Sequence, residues 1–117
     1  MLTFIQYPNC TGCRKAKKWL EQNAIDFETI NIVEQTPTAT TLKQIWQASE
    51  LPLKKFFNTS GVKYRELGLK DKLATMSEEE QLALLASDGM LIKRPILTDG
   101  KKVTVGFKEE TFEQTWK

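Results

Sequence analysis

The sequence predicts an α/β fold: a mixed four-stranded sheet assembled in the order β-α-β, then β-β-α, with helices inserted between the two halves. Three patterns support this prediction. In the first part of the chain, apolar and polar residues alternate, then recur at helical spacing, then alternate again. In the middle, apolar residues are spaced as in helices. Near the carboxyl end, two short apolar runs precede an amphipathic segment. Because 117 residues suffice for one hydrophobic core, we expect a single domain over residues 1–117.

The first part of the chain alternates between strand and helix patterns. Residues 2–7 mix apolar and polar side chains and end at Pro8-Asn9, which is typical of a strand followed by a turn. From Cys13 onward, apolar residues recur at helical spacing, with lysines and an arginine on the other side. Residues 27–32 form a second strand pattern. Since crossovers of this kind are right-handed, we expect the second strand to run parallel to the first.

The middle of the chain is predicted to be helical. Thr38 can cap a helix, and Ser77 with Glu80 three residues later forms a capping box ahead of a leucine-rich stretch. Short apolar clusters between these two helices alternate with Lys and Arg, which predicts short helices broken by turns. We therefore expect a helical insertion over about 38–88, between core segments of about 1–34 and 90–117.

The carboxyl-terminal part has a hairpin pattern. Ile96-Leu97 and Val103 to Val105 flank Asp99-Gly100, a dipeptide that tolerates the positive φ of a tight turn. Lys108 to Trp116 then has the amphipathic spacing of a closing helix. The complete order of elements is that of the thioredoxin fold with a helical insertion.

The composition argues against two classes of partner. The 17 basic and 15 acidic residues leave a formal net charge of +2, far from the basic balance of proteins that neutralise nucleic-acid phosphates. The longest apolar run, Leu82 to Ala86, is far too short to cross a bilayer, and the amino terminus lacks a signal-peptide pattern. We expect a cytoplasmic protein that binds neither nucleic acid directly nor membranes.

The two cysteines stand together between the first strand and the first helix. Unpaired N–H groups and the helix dipole favour an anion such as a thiolate at this junction. We therefore expect Cys10, just ahead of the helix, to be the nucleophile and Cys13, in the first turn, to be the resolving thiol. The alternative is half of a zinc site, but zinc usually takes four ligands and the chain has no histidine and no further cysteine.

Without histidine, arginine must supply any further stabilisation of a thiolate. The candidates are Arg14, Arg65 and Arg94, the three arginines of the chain. Each has a simpler interpretation as a surface residue. The lysine-rich face of the first helix is likewise either solvated surface or a docking surface for an acidic partner.

Two motifs make the chain similar to a known family. Tyr7 to Ala16 (YPNCTGCRKA) resembles the active-site opening of the arsenate reductase/Spx family, and Lys93 to Ile96 (KRPI) resembles its Arg-Pro segment before the last hairpin. Gly106-Phe107 after the hairpin also fits, and the similarity covers nearly the full chain. The resemblance implies a thioredoxin-like fold in which Pro95 is cis and holds Arg94 beside Cys10.

The resemblance to the family's arsenate reductases implies a thiol-dependent enzyme. Those enzymes attack arsenate with a cysteine and use an external thiol reductant, of the glutathione/glutaredoxin or thioredoxin type, with no bound cofactor. By this resemblance the catalytic residues would be Cys10, Cys13 and Arg94, and the substrate-binding residues would be Thr11, Gly12, Arg14, Arg65 and Pro95. A third arginine of the reductases, after the last hairpin, falls at Gly106.

The resemblance to the family's Spx-type members leaves a second function open. Those proteins are transcription regulators with a Cys-x-x-Cys redox switch, and they bind the C-terminal domain of the RNA polymerase α-subunit. The segment where they place a glycine reads Ser49 to Leu53 (SELPL) here. The leading hypothesis is thiol-dependent reduction of arsenate, another oxyanion or a disulfide. The alternatives are a redox-sensing regulator and a folded homologue that has lost both activities.

Overall fold

The computed structural model describes residues 1–117 and contains one mixed four-stranded sheet. Its strands lie in the order β2-β1-β3-β4, where β1 is Leu2–Gln6, β2 is Phe27–Asn31, β3 is Ile96–Thr98 and β4 is Val103–Val105. Strand β1 runs parallel to β2 and antiparallel to β3, and β3 runs antiparallel to β4. This topology confirms the predicted thioredoxin-like α/β fold.

Six α-helices accompany the sheet, and four of them lie between β2 and β3 in sequence. They are α1 (Thr11–Gln22), α2 (Ala39–Ser49), α3 (Val62–Glu66), α4 (Leu69–Lys72), α5 (Glu78–Ser87) and α6 (Glu109–Trp116). Three short 3₁₀ segments complete the region before β3: Leu53–Phe56, Leu73–Thr75 and Gly89–Leu91. None of the helices has the length and apolar character needed to cross a bilayer.

The two faces of the sheet bury different cores, because side chains alternate along each strand. Phe4 and Leu97, opposite each other on β1 and β3, join α1 and α6 in one cluster, which we call the α1/α6 core. Ile5 and Ile96, the next pair, face the other way and join the inserted helices in a larger cluster, which we call the insertion core. The sheet therefore separates the two clusters.

Helix α1 is fixed on the α1/α6 core by its apolar stripe. Cys13, Ala16, Trp19 and Leu20 are buried, whereas the intervening basic side chains are exposed. The Trp19 indole N–H donates to a carboxylate oxygen of Glu113 in α6 (3.1 Å), so the two helices are also tied by a hydrogen bond. This packing holds the first turn of α1 just beyond the carboxyl end of β1.

The predicted helix caps in the insertion are confirmed. The Thr38 hydroxyl accepts a hydrogen bond from the Thr41 backbone amide (3.2 Å) at the start of α2. At the start of α5, the Ser77 hydroxyl accepts from the Glu80 amide (3.1 Å), and the Glu80 carboxylate accepts from the Ser77 amide (2.8 Å). These contacts satisfy amide groups that a helix start leaves unpaired.

The predicted hairpin is present, with a connection longer than the Asp99-Gly100 dipeptide. Strand β3 ends at Thr98 and β4 begins at Val103, so residues 99–102 form the turn. The Asp99 carboxylate accepts hydrogen bonds from the amides of Lys101 (2.8 Å) and Lys102 (2.7 Å), and Gly100 has φ +93°. Asp99 thus stabilises a turn whose positive φ favours glycine.

Candidate active site

Cys10 is the residue that caps α1. Its backbone is extended (φ −111°, ψ 118°), and its Sγ accepts a hydrogen bond from the Cys13 amide (3.3 Å). The Cys10 amide in turn donates to the Tyr7 carbonyl (3.1 Å), which closes the loop between β1 and α1. Cys10 is only partly buried, so its sulfur can be reached from solvent, and it lies at a helix start, where backbone amides point toward it.

Cys13 lies one turn further along α1 and is buried, with 1% of its surface exposed. Burial raises the pKa of the Cys13 thiol from its ordinary 9.0 to about 12, and a hydrogen bond to Cys10 and the charge of Cys10 act in the same direction. The Tyr7 backbone amide and the Arg94 guanidinium oppose this rise in pKa. At neutral pH, Cys13 is therefore a thiol that is in contact with Cys10 and protected from solvent.

The loop before α1 is held by Arg14, which was predicted to bind substrate. Its Nε donates to the Pro8 carbonyl (3.1 Å), so the side chain reaches back along the loop that carries Cys10. Thr11 is exposed at the first position of α1, and no atom lies within 4 Å of the position that a Cβ at Gly12 would occupy. Thr11 and Gly12 therefore leave the approach to Cys10 open.

Arg94 lies on the insertion side of the same end of the sheet. Its Nη1 donates to the carbonyls of Met90 (3.3 Å) and Ile92 (3.1 Å), and its guanidinium carbon lies 5.3 Å from the centre of the Tyr7 ring. The peptide bond between Arg94 and the buried Pro95 is cis. Nη1 is thus occupied within the protein, while Nε and Nη2 make no hydrogen bond to the chain.

A groove of about 480 Å³ opens beside Arg94. Polar side chains and one further cation line it with Arg94, and the lining comprises Asn58, Ser60, Gly61, Val62, Lys63, Met90 and Arg94. Lys63 Nζ lies 4.0 Å from the Asp88 carboxylate, too long for a tight ion pair, and both side chains are partly exposed. The groove therefore presents two cations together with amide and hydroxyl groups, a set suited to an anion.

The structure does not bring Arg65 to this groove. The Arg65 side chain is exposed on α3 and makes no hydrogen bond or ion pair within the chain, whereas Lys63 of the same helix lines the groove. Neither Asn58 nor Lys63 was predicted for the site. Their placement depends on how the insertion packs against the Arg94 segment, and no local sequence pattern marks it.

The two sulfurs have no partners for metal binding. No three side chains among the Cys, Asp and Glu residues of the chain come together in a cluster that could hold a metal ion. The chemistry that the arrangement offers is that of a dithiol, with one partly exposed sulfur and one buried sulfur. The charge of the Arg94 guanidinium acts on Cys13, but neither cysteine lines the groove beside Arg94.

Comparison with known proteins gives the family. The model of the ArsC family matches residues 5–115, nearly the whole chain. The chain belongs to the ArsC family. The match spans both the Cys10 loop, which follows β1, and the Arg94-Pro95 segment, which precedes the antiparallel β3 at the same end of the sheet.

Among the relatives of the chain, two of the following three are named as regulators. YusI of Bacillus subtilis is 64% identical over 115 residues and covers 98% of each chain. The regulatory protein MgsR of Bacillus subtilis is 36% identical, over 91% of this chain and 82% of MgsR. The global transcriptional regulator Spx of Lactiplantibacillus plantarum is 31% identical, over 94% of this chain and 82% of Spx.

Solved structures of ArsC-family proteins superpose closely. An ArsC family related protein from Bacteroides fragilis has a TM-score of 0.93 at 53% identity, covering 97% of this chain and 95% of that one. A possible arsenate reductase from Streptococcus mutans UA159 has a TM-score of 0.88 at 48% identity, covering 97% and 98%. The family's thioredoxin-like frame is therefore retained along the whole chain.

The position after the last hairpin differs from what the resemblance implied. Gly106, where the resemblance placed a third arginine, has φ +82°, in the region that favours glycine. A Cβ at this position would lie 3.5 Å from Lys93 Cε. In this ArsC-family chain Lys93, rather than an arginine at 106, brings a cation to this part of the surface.

Proposed function

We propose that the protein is a thiol–disulfide oxidoreductase that reduces a disulfide or a small oxyanion, with Cys10 as nucleophile and Cys13 as resolving thiol. The observation that supports this proposal best is the pairing of the two sulfurs. The Cys10 sulfur is partly exposed and accepts a hydrogen bond from the backbone amide of Cys13, whose own side chain is buried. A dithiol arranged in this way can receive a substrate at one sulfur and release it with the other.

With a disulfide substrate, the reaction proceeds in two exchanges. The Cys10 thiolate attacks one substrate sulfur, so a mixed disulfide forms and the second substrate sulfur leaves as a thiolate. Cys13 then loses its proton, which the departing thiolate can accept, and attacks Cys10. The Cys10–Cys13 disulfide forms, the first substrate sulfur is released, and two electrons have passed to the substrate. An external thiol reductant returns both cysteines to thiols.

The pKa of Cys13 fits its role as the second attacker. Two of the causes that raise it, the hydrogen bond to Cys10 and the charge of Cys10, require a free Cys10 sulfur. Both causes are lost once Cys10 is bonded to substrate, while the Tyr7 amide and Arg94 continue to favour the Cys13 thiolate. Formation of the mixed disulfide therefore removes two of the causes that raise the Cys13 pKa, while burial, the largest cause, remains.

Arg94 is the residue we assign to anion binding at the site. Its Nε and Nη2 are free to donate, and its guanidinium is fixed by two carbonyls and the Tyr7 ring. A planar guanidinium can bind an oxyanion through two parallel N–H groups, which an ammonium group cannot reproduce. Lys63 and Asn58, which also line the groove, would add further donors.

The first test is the disulfide itself. We expect a mild oxidant to close an intramolecular Cys10–Cys13 bond and dithiothreitol to reopen it, as shown by mass spectrometry of non-reduced peptides. Only intermolecular dimers, or two intact thiols after oxidation, would show that Cys13 is not the resolving thiol.

The second test is turnover with arsenate and with a glutathione-linked disulfide, comparing Arg94→Lys with Arg65→Lys. Losing a charge-assisted hydrogen bond costs about 1.5–3 kcal/mol, so Arg94→Lys should reduce kcat/KM by about ten- to a hundredfold. Arg65→Lys is the matched control, because the Arg65 side chain is exposed and does not line the groove; its kcat/KM should stay within about twofold. Equal kcat/KM values for both variants, with both folded by circular dichroism, would remove Arg94 from the site.

The second candidate function is redox-sensing transcription regulation. The sequence identity that the chain shares with MgsR and Spx favours it. In this case the Cys10–Cys13 disulfide would change the affinity for a partner, the C-terminal domain of the RNA polymerase α-subunit. A pull-down with that purified domain, using oxidised and reduced protein, tests it. Redox-dependent capture without turnover of either substrate would select regulation over reduction.

A further inference from the structure

The exposed side of α1 carries a run of cations that begins one turn from Cys10. Arg14, Lys15, Lys17 and Lys18, which we call the basic face, are all exposed. No acidic residue lies in the first turn of α1, and neither ion pair of the chain involves the basic face. Four positive charges beside the nucleophile are therefore left without an acidic partner, although Arg14 Nε also donates to the Pro8 carbonyl.

Packing and helix stability do not account for this placement. A helix dipole disfavours cations near its amino terminus and favours acidic residues there. The other long helices of the chain follow that rule where their first turns are charged: α5 begins with Glu78, Glu79 and Glu80, and α6 with Glu109 and Glu110. In α1 the buried stripe supplies the stability, and the three lysines of the basic face are exposed to solvent without an ion-pair partner.

From these observations we infer that the basic face is the docking surface for the protein thiol that reduces the Cys10–Cys13 disulfide, and that this reductant carries acidic side chains beside its own cysteine. The inference rests on the proposed oxidoreductase function. The acidic character of the reductant follows from charge complementarity with the basic face. Its role at the disulfide follows from the continuity of that face with Cys10, since Arg14 and Lys15 lie about one turn beyond Cys10.

The length of the basic face favours a macromolecular reductant over a small thiol. Lys18 is eight positions beyond Cys10, a distance of about 12 Å along the helix at 1.5 Å per residue. A small thiol bound at Cys10 does not extend along this distance, whereas an acidic protein surface or an extended peptide does.

The reduction step is a thiol–disulfide exchange. The reductant thiolate attacks the sulfur of Cys10 and forms a mixed disulfide, and Cys13 leaves as a thiolate that takes up a proton. A second reductant thiol attacks the mixed disulfide, and Cys10 is released as a thiolate. The reductant is oxidised to a disulfide, and two electrons have passed to the protein.

The test measures second-order rate constants for reduction of the oxidised full-length protein by synthetic peptides. Each peptide has one cysteine followed by a run of glutamates, glutamines or lysines, and rates are expressed per thiolate from each peptide's own titration. Electrostatic steering predicts a rate about tenfold higher for the glutamate peptide than for the glutamine peptide at low salt. The advantage should disappear in about 1 M salt, where the Debye length is about 3 Å.

The decisive variant is Lys15→Gln/Lys17→Gln/Lys18→Gln, which keeps helix propensity and removes three charges. The glutamate advantage should fall below about twofold in this variant. The matched control is Lys43→Gln/Lys70→Gln/Lys72→Gln, which removes three exposed charges from α2 and α4 and should keep the full advantage.

Two outcomes overturn the docking surface while leaving the oxidoreductase proposal intact. One is an equal glutamate advantage in the two triple variants. The other is the same dependence on the basic face for mercaptosuccinate, a small anionic thiol, because contact along the helix would then be unnecessary. A disulfide that does not form, or that no thiol reopens, would instead overturn the oxidoreductase proposal itself.

Discussion

Alkylation of the native protein should distinguish the two cysteines sharply. Iodoacetamide reacts with thiolates, and the pKa of Cys13 is raised to about 12. At about pH 8, an ordinary thiol of pKa 9.0 is about one-tenth ionised, whereas Cys13 would be about one part in ten thousand ionised. Ionisation alone should therefore slow Cys13 by about a thousandfold relative to the unfolded chain, and its 1% exposure should slow it further.

The assay is timed alkylation followed by trypsin and tandem mass spectrometry. Trypsin leaves Cys10 and Cys13 on one peptide, residues 1–14, so fragment ions between the two positions must locate the label. Native protein should be labelled at Cys10, and protein in concentrated urea should be labelled at both. The Cys10→Ala variant should still protect Cys13, because burial is the largest cause of the raised pKa. Protection of Cys13 by less than about tenfold would refute the buried-thiol assignment.

Three further predictions concern stability. Above pH 9 the unfolded chain loses the Cys13 proton while the folded protein keeps it until about pH 12, so the free energy of unfolding should fall by up to about 1.4 kcal/mol per pH unit. Urea titrations of reduced wild type and of Cys13→Ala at several pH values measure how steeply each free energy of unfolding depends on pH. The same pH dependence in both proteins would contradict the prediction. Phe112→Ala should cost about 3–5 kcal/mol, because Phe112 is fully buried against the Trp19 and Phe107 rings; the exposed Val62→Ala is its control and should cost less than about 0.5 kcal/mol. Ser77→Ala should cost about 1 kcal/mol through loss of the α5 cap, and an unchanged urea midpoint would show that the capping box is not stabilising.

The elements that local patterns describe were predicted best. Cys10 and Cys13 flank a helix start, and a helix start is marked by neighbouring residues alone. The same holds for Thr38 and for Ser77 with Glu80, whose capping contacts join residues three apart. Such features need no knowledge of the remaining fold.

The groove beside Arg94 could not be predicted, because it depends on contacts between distant segments. Whether Lys63 or Arg65 faces Arg94 is decided by the position of a five-residue helix on the insertion core. Gly89 illustrates the same limit: a Cβ there would collide with the carbonyl oxygen of Ile32, more than fifty positions earlier in the chain. The sequence marks Gly89 only as the end of a helix.

The separation of the two cores by the sheet has a consequence for how this family can change. Cys13 belongs to the α1/α6 core, whereas the inserted helices bury their side chains in the insertion core on the opposite face. Substitutions in non-contacting clusters contribute additively to stability. The insertion can therefore acquire new surfaces without disturbing the packing of α1, so the same pair of cysteines can be combined with different neighbouring surfaces.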